Sequence, residues 1–441
     1  MSSAAIEKYL ARYAEPEARR VPKLSGPFYA ALMVPAFAES EALLDGYRSA
    51  ARAARGRVLL VLVVNAPPEA SAEQREANAV LLRSLGGGSS AASEFVTERE
   101  EFTLLVVDRA SLGREIAKKL GVGHARKVGS DIVLAVAARD GLELPFVFST
   151  DADVTLPSDY FERAERTLKG AAASALLYPF EHVQTGNGDD DVSVFEATLL
   201  YELSLRYHVL GLSWARSTYA YHSVGSTIAA HIESYTQVRG FPKRAAGEDF
   251  YLLDKLGKVL PIEQLTGASI QIRARRSLRV PFGTGPRVEQ LLTDASMLVD
   301  HPDTYRALGA LIRALDRFAE ARSPVVLVNA FAELPADLAR AATHAANESG
   351  LLEAARSALA QVGGADLRRR MHTWFDGLRS LRFLHTVADH GFPKLPCREA
   401  LAVAPFAAIP SQIPLRAALD EARRLERTMA ARGGPAAFSE P

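Results

Sequence analysis

Two acidic pairs stand out as candidates for chemistry: Asp151-Ala152-Asp153 and Glu248-Asp249. The first follows directly on Phe146-Val147-Phe148, an apolar run of strand length. Two carboxylates two residues apart, on irregular backbone, can approach one hard cation, and such a cation takes oxygen ligands and bridges substrate phosphates. The place matters as much as the residues, because open α/β sheets bind ligands beyond the carboxyl ends of their strands. The second pair opens the helical stretch Tyr251–Leu256. Acids at a helix start also serve plain capping and dipole compensation. Here, however, Gly225-Ser226-Thr227, Tyr235 and Arg239-Gly240-Phe241 precede them, and glycines let backbone come close to a ligand. A carboxylate at that position is expected to be held ionised by the helix N-terminus, which suits proton abstraction at neutral pH.

Two further segments carry weaker signals. Val34-Pro35-Ala36-Phe37-Ala38-Glu39 ends a strand, fixes a turn with proline and brings a glutamate near a helix start. Gly121-Val122-Gly123-His124-Ala125-Arg126-Lys127-Val128-Gly129 is not a dinucleotide fingerprint, since Arg126 stands where the third glycine belongs. Its cationic pair Arg126-Lys127, beside small residues, could contact a diphosphate; the plain alternative is a solvated basic turn. His222, in Tyr221-His222-Ser223, lies in the segment before Glu248 and could bind an acceptor or a metal, or serve as a structural histidine. His182, His301, His385 and His390 have no paired spacing that implies zinc.

Positioning these residues takes an alternation of strands and helices. Phe28–Val34, Val58–Val64, Phe102–Val107 and Phe146–Phe148 read as strands, with Ala36–Ala54 as a helix between the first two. This alternation predicts an α/β fold with a mainly parallel sheet. Gly86–Ser90 and the acidic run Gly186–Asp191 read as surface loops. Beyond about residue 290 the periodicity is helical: Tyr305, Leu308, Leu311, Ile312, Leu315 and Phe318, then Trp374, Leu378, Leu381, Leu384 and Val387, then Leu415, Leu419 and Leu425. Their apolar stripes need a partner surface and are expected to pack on the α/β part. The expected organisation is an N-terminal helical arm over 1–26, an α/β domain over 27–290 and a C-terminal helical extension over 291–441, frayed after Ala431.

At 441 residues, with 48% hydrophobic and 24% charged residues, the chain can build a large core. Lys and Arg together number 52, as do Asp and Glu, so there is none of the basic excess of a nucleic-acid binder. The single cysteine, Cys397, excludes an intramolecular disulfide and suits a reducing cytosol. The N-terminal residues lack an apolar signal core, and no stretch approaches a membrane span. The expected location is cytoplasmic. If the protein acts on a lipid-linked molecule, it is expected to do so from the inner membrane face.

Taken in order, the segments resemble the family 2 glycosyltransferases, which have the GT-A fold, a Rossmann-like nucleotide-diphospho-sugar transferase domain. The resemblance runs over roughly residues 28–290. It rests on Pro35-Ala36-Phe37-Ala38-Glu39, Gly121–Gly129, Asp151-Ala152-Asp153, Arg239-Gly240-Phe241 and Glu248-Asp249. It departs from the family where Arg239 replaces the first acceptor-side glycine. Asn65 stands near the place of an aspartate that reads the donor base. The Q-x-x-R-W motif of processive synthases is absent after Asp249, where Arg279–Gly285 (RVPFGTG) is found instead.

The resemblance implies inverting, metal-dependent sugar transfer from a nucleotide sugar to an acceptor hydroxyl on a saccharide, lipid-linked or small-molecule acceptor. Asp151 and Asp153 would hold Mn2+ or Mg2+. Pro35, Ala36, Phe37, Glu39, Asn65, Arg126, Lys127 and Asp151 would hold the donor, and His222, Arg239 and Gly240 the acceptor. Asp249 would be the general base, with Glu248 second. The competing readings are a sugar nucleotidyltransferase and a non-catalytic nucleotide-sugar-binding protein. The first lacks a Gly-rich signature loop near the N-terminus.

Overall fold

The structure is a computed structural model that describes residues 3–87, 92–168, 170, 172–184, 186, 188–277, 283–294, 296–361 and 363–431. Parts of the expected loops (Gly88–Ser90 and Asn187), Arg279–Phe282 and the tail beyond Ala431 lie outside the described residues. The chain forms two compact units, Met1–Phe195 with Ser223–Glu289, and Glu196–His222 with Gln290–Pro441.

The first unit is α/β. Its strands are β1 (Ala30–Ala36), β2 (Val58–Asn65), β3 (Glu94–Glu98), β4 (Thr103–Arg109), β5 (Phe146–Ser149), β6 (Val154–Thr155), β7 (Ala175–Leu177), β8 (Phe180–Val183), β9 (Ile228–His231), β10 (Ile262–Gln264) and β11 (Ile270–Arg273). Eight of them form one sheet in the order β10-β7-β9-β5-β1-β2-β4-β3. All run one way except β3 and β9, so the sheet is mainly parallel, as the alternation predicts. β6, β11 and β8 make a second, three-stranded sheet. Every residue of β2 is buried, which accounts for its unbroken Val/Leu sequence: helices cover both faces of a parallel sheet.

The helices of this unit are α1 (Ser3–Arg12), α2 (Asp45–Ala53), α3 (Ala72–Ser84), α4 (Gly121–Arg139) and α5 (Tyr160–Thr167). α6 (Asp189–Trp214) then carries the chain into the second unit; α7 (Ile232–Gln237) and α8 (Glu248–Leu256) follow on its return, and α9 (Thr284–Asp294) leads out again. Two expectations are corrected. Gly121–Gly129 is not a turn but the first half of α4, with both Arg126 and Lys127 buried. Gly129 lets the helix lie close on the sheet: a Cβ there would stand 2.3 Å from Met33 Cγ and 3.1 Å from Val63 Cγ2. Asp189–Asp191, expected in a loop, form the first turn of α6.

The second unit is helical: α10 (Pro302–Ala321), α11 (Val325–Val328), α12 (Ala336–Glu348), α13 (Leu351–Gln361), α14 (Gly364–Trp374), α15 (Gly377–Asp389), α16 (Cys397–Val403) and α17 (Leu415–Ala431). A short pair, β12 (Leu298–Val299) with β13 (Leu395–Pro396), is antiparallel. α10 packs against α11, α12, α14 and α15, and its stripe from Tyr305 to Phe318 is fully buried. A buried ion network ties α17 to α6. Glu202 accepts from Arg206 Nη2 at 2.7 Å and Arg423 Nε at 2.9 Å, and Glu426 meets both Arg206 and His222. Among the described residues no helix is long and apolar enough to cross a membrane.

Candidate active site

The chain winds β1 to β2 to β4 in one direction, then returns through α4 to β5 on the other side of β1. The winding reverses between β1 and β5, and the crevice beyond the carboxyl ends of strands at such a point is where open α/β sheets take ligands. β1 ends here in Pro35-Ala36, followed by Phe37-Ala38-Glu39. β5 ends at Ser149 and runs into Thr150-Asp151-Ala152-Asp153. The two ends are laced together: Met33 pairs with Ser149, and the Thr150 N–H donates to Met33 O at 3.1 Å.

Arg126 organises the cluster. Its side chain is 4% exposed, and its guanidinium reaches both acidic pairs. Nη2 lies 2.6 Å from Asp151 Oδ1 and Nε lies 2.9 Å from Glu248 Oε1. Nη1 donates to Ser149 Oγ at 2.8 Å and to Thr150 O at 3.4 Å. Gly225 makes room for it, since a Cβ there would stand 2.4 Å from Nη2. Burial alone would lower the guanidinium pKa, but Asp151, Glu248 and Asp249 raise it, so Arg126 is a permanent cation.

Asp153 is held from the other side. Arg275 Nε is 2.8 Å from its Oδ2, and Arg275 Nη1 donates to Glu39 Oε1 at 2.7 Å. Burial pushes the Asp153 carboxyl up; Arg275 pulls it down, while Asp151 and Glu39 push it up again. The net direction is upward. Tyr47, on α2, donates its hydroxyl to Asp151 O at 2.8 Å. Arg273 N bonds Asp153 O at 2.9 Å, and Arg273 Nη2 bonds Ala152 O at 3.2 Å.

Asp249 is not held ionised. Burial and the neighbouring Glu248 push its carboxyl up to about 7, against the pull of the Phe250 N–H (2.7 Å from Oδ1) and of Arg126. The dipole expectation fails because a half-buried helix start beside a second carboxylate costs the charged form more than the dipole returns. A carboxyl poised near neutrality is nonetheless what a general base needs.

The structure therefore brings together Glu39, Arg126, Asp151, Asp153, Glu248 and Asp249, with Pro35, Ala36 and Phe37 on the adjoining strand end. Asn65 ends β2 next to β1 and is 9% exposed; its Oδ1 is buried with no hydrogen-bond partner among the described residues. Its carbonyl accepts from Asn78 Nδ2 at 3.3 Å, and Asn78 Oδ1 accepts from the Ala38 N–H at 2.9 Å.

Other expected residues lie elsewhere. Lys127, one residue on from Arg126 on α4, points to a different face and into the N-terminal arm. There its Nζ is 2.7 Å from Tyr9 Oη and 2.9 Å from Asp131 Oδ2. Arg239 stacks its guanidinium over Tyr13, 4.8 Å from the ring centre, and a Cβ on Gly240 would stand 2.6 Å from the hydroxyls of Tyr235 and Tyr9. His222 is in the second unit, with Nε2 2.8 Å from Glu426 Oε1.

Tyr47 and Asn78 are the participants that sequence reasoning passed over, Tyr47 because it reads as an apolar helix position; Arg275 belongs to the local basic cluster Arg273–Arg279, which by its charge could serve one bound phosphate.

The cluster's charge bears on a cation. Glu39, Asp151, Asp153, Glu248 and Asp249 face Arg126, Arg273 and Arg275, so two negative charges are in excess when all are ionised. One hard divalent cation would balance that excess, and the donors are carboxylate oxygens. Among the described residues no group of three or more His, Cys, Asp and Glu side chains is arranged to hold a metal.

No family model and no curated protein matches this chain. Among solved structures, it is similar to TarS residues 1–349 of S. aureus in complex with UDP-GlcNAc, with 12% identity and a TM-score of 0.36 over 82% of this chain and 90% of that one. It is also similar to the mannosyltransferase PcManGT of Pyrobaculum calidifontis in complex with GDP-Man and Mn2+, with 16% identity and a TM-score of 0.33 over 88% and 94%.

Proposed function

We propose that this protein is a GT-A glycosyltransferase of the family 2 type that transfers a sugar from a nucleotide-diphosphate donor to an acceptor hydroxyl, with inversion. One observation carries the reading: a single buried guanidinium, Arg126, joins the strand-end pair Asp151/Asp153 to Glu248-Asp249, so segments about 100 residues apart form one charged site at the switch point of a parallel sheet. Asp151 and Asp153 would hold the divalent cation, Mn2+ or Mg2+. When bound, the cation supplies charge neutralisation for a departing nucleotide diphosphate.

The chain's own residues account for the rest. Arg126 fixes Asp151 and Glu248 before any ligand arrives, so little reorganisation accompanies reaction. Asp249, near 7, takes the proton from the acceptor oxygen as it attacks the anomeric carbon. Glu248 is tied to Arg126 and serves to position its neighbour. The unpartnered Asn65 Oδ1 can accept a hydrogen bond from a ring N–H of the donor base.

A thermal-shift screen of nucleoside diphosphates and sugar nucleotides, with and without Mn2+ or Mg2+, tests the reading. A ligand at about 100 times its Kd adds about 2.7 kcal/mol of stability. If no sugar nucleotide stabilises the protein, while a nucleoside triphosphate and a sugar phosphate together release pyrophosphate, the nucleotidyltransferase reading takes its place.

A further inference from the structure

Two arginines of the cluster, Arg126 and Arg275, are held very differently. Arg126 makes four hydrogen bonds, is walled in by Gly225 and rises from the regular backbone of α4. Arg275 sits on irregular chain just after β11, with its side chain 29% exposed, and its two partners named here are both carboxylates. Its contact with Asp153 is an ion pair at 2.8 Å. Arg126 is thus built in, whereas Arg275 is a counter-charge on Asp153 with a path to solvent.

We propose that Arg275 is a displaceable counter-ion: it neutralises Asp153 and Glu39 in the ligand-free protein and gives up Asp153 to a divalent cation. The inference rests on the reading of Asp151/Asp153 as the cation-binding pair. Three facts support it. One guanidinium, Arg275, serves both Glu39 at 2.7 Å and Asp153 at 2.8 Å, so two neighbouring carboxylates depend on a single counter-charge. A cation arriving at Asp153 makes the guanidinium redundant there, since like charges repel at that range. Arg275 keeps Glu39 as an anchor, and a guanidinium held at one end can turn its remaining N–H groups to a phosphate, which its planar fork fits. The device would keep the site folded and charge-balanced before the donor arrives, and would couple cation binding to phosphate binding through one side chain.

Mn2+ titration of the protein alone, followed by the electron paramagnetic resonance of free Mn2+ at pH 8, tests this directly. Arg275→Gln should bind Mn2+ at least tenfold more tightly than wild type. Arg275→Lys, which keeps the charge, should stay near wild type. Adding Asp153→Asn to Arg275→Gln should abolish the gain. With Mn2+ present, UDP or GDP should bind Arg275→Gln at least tenfold more weakly.

A second measurement needs no loss-of-charge variant. In the wild type, the side-chain 15Nε–1H resonance of Arg275 should shift on adding Mg2+ with UDP or GDP, while that of Arg126 stays in place. Unchanged or weaker Mn2+ binding by Arg275→Gln, or an Arg275 resonance that does not move while nucleotide binds, overturns the proposal and makes Arg275 a structural clamp. The underlying reading fails separately: wild type that binds neither UDP nor GDP with Mn2+ refutes the donor site, even where the Mn2+ gain in Arg275→Gln upholds the counter-ion.

Discussion

Asp249→Asn should make the protein more stable and nearly inactive, with both effects depending on pH in a defined way. The carboxyl moves from an ordinary 3.8 when unfolded to about 7 in the fold, driven first by burial and then by Glu248. The native state therefore binds more protons than the unfolded chain between these values, and stability falls as pH rises through that window. A rise from 3.8 to about 7 amounts to about 4 kcal/mol of penalty, fully present above pH 7 and absent below about pH 4. Asparagine keeps the shape and removes the ionisation. Denaturant unfolding should show Asp249→Asn more stable than wild type at pH 8, by up to about 4 kcal/mol, and equal to it near pH 4. Donor hydrolysis to water, followed by nucleotide release, should have an acid limb with a midpoint near 7 in the wild type. The variant should be slower by about 10²–10⁴, with donor affinity nearly intact. A variant no more stable at pH 8 than at pH 4 relative to wild type, or one that turns over at the wild-type rate, refutes the assignment. If Glu248→Gln is dead while Asp249→Asn is active, the two roles are exchanged.

Arg126→Leu should destabilise the first unit by about 3–5 kcal/mol in denaturant unfolding, because it strands Glu248 and Asp151 without their cation. Gly225→Ala should cost about 1–3 kcal/mol by pushing Arg126 Nη2 off Asp151, and should weaken nucleotide-diphosphate binding in calorimetry. In the N-terminal arm, burial would raise Glu15, but His124 and Lys243 hold it down at about 2. Its contribution, about 3 kcal/mol at pH 7, should be lost as pH falls from about 4.5 towards 2. Glu15→Gln should flatten that part of the stability profile.

Much of this site is legible in the residues. The unbroken apolar run of β2 and the short run before Asp151 are what buried parallel strands require, and they place Asp151 and Asp153 at a strand end. Other features are not legible. The glycines of Gly121–Gly129 read as a turn because close packing on Met33 and Val63 is a tertiary fact. Arg126 and Lys127 look equivalent in sequence, yet helical geometry sends one to Asp151 and the other to Tyr9 and Asp131. β3 is an edge strand with half-buried residues, and its Glu94–Glu98 segment carries no strong apolar alternation. That Glu196–His222 leaves the α/β unit, taking His222 with it, follows from long-range contacts that local periodicity does not encode.

The central claim is that Asp151 and Asp153 form a divalent-cation site for a nucleotide diphosphate. Titration calorimetry of UDP and GDP, with and without Mn2+, on wild type and Asp153→Asn tests it most directly. The account predicts that wild type binds one of them in a Mn2+-dependent way and that the variant binds more weakly, with no dependence on Mn2+. Equal, Mn2+-dependent affinity in the two proteins would contradict it.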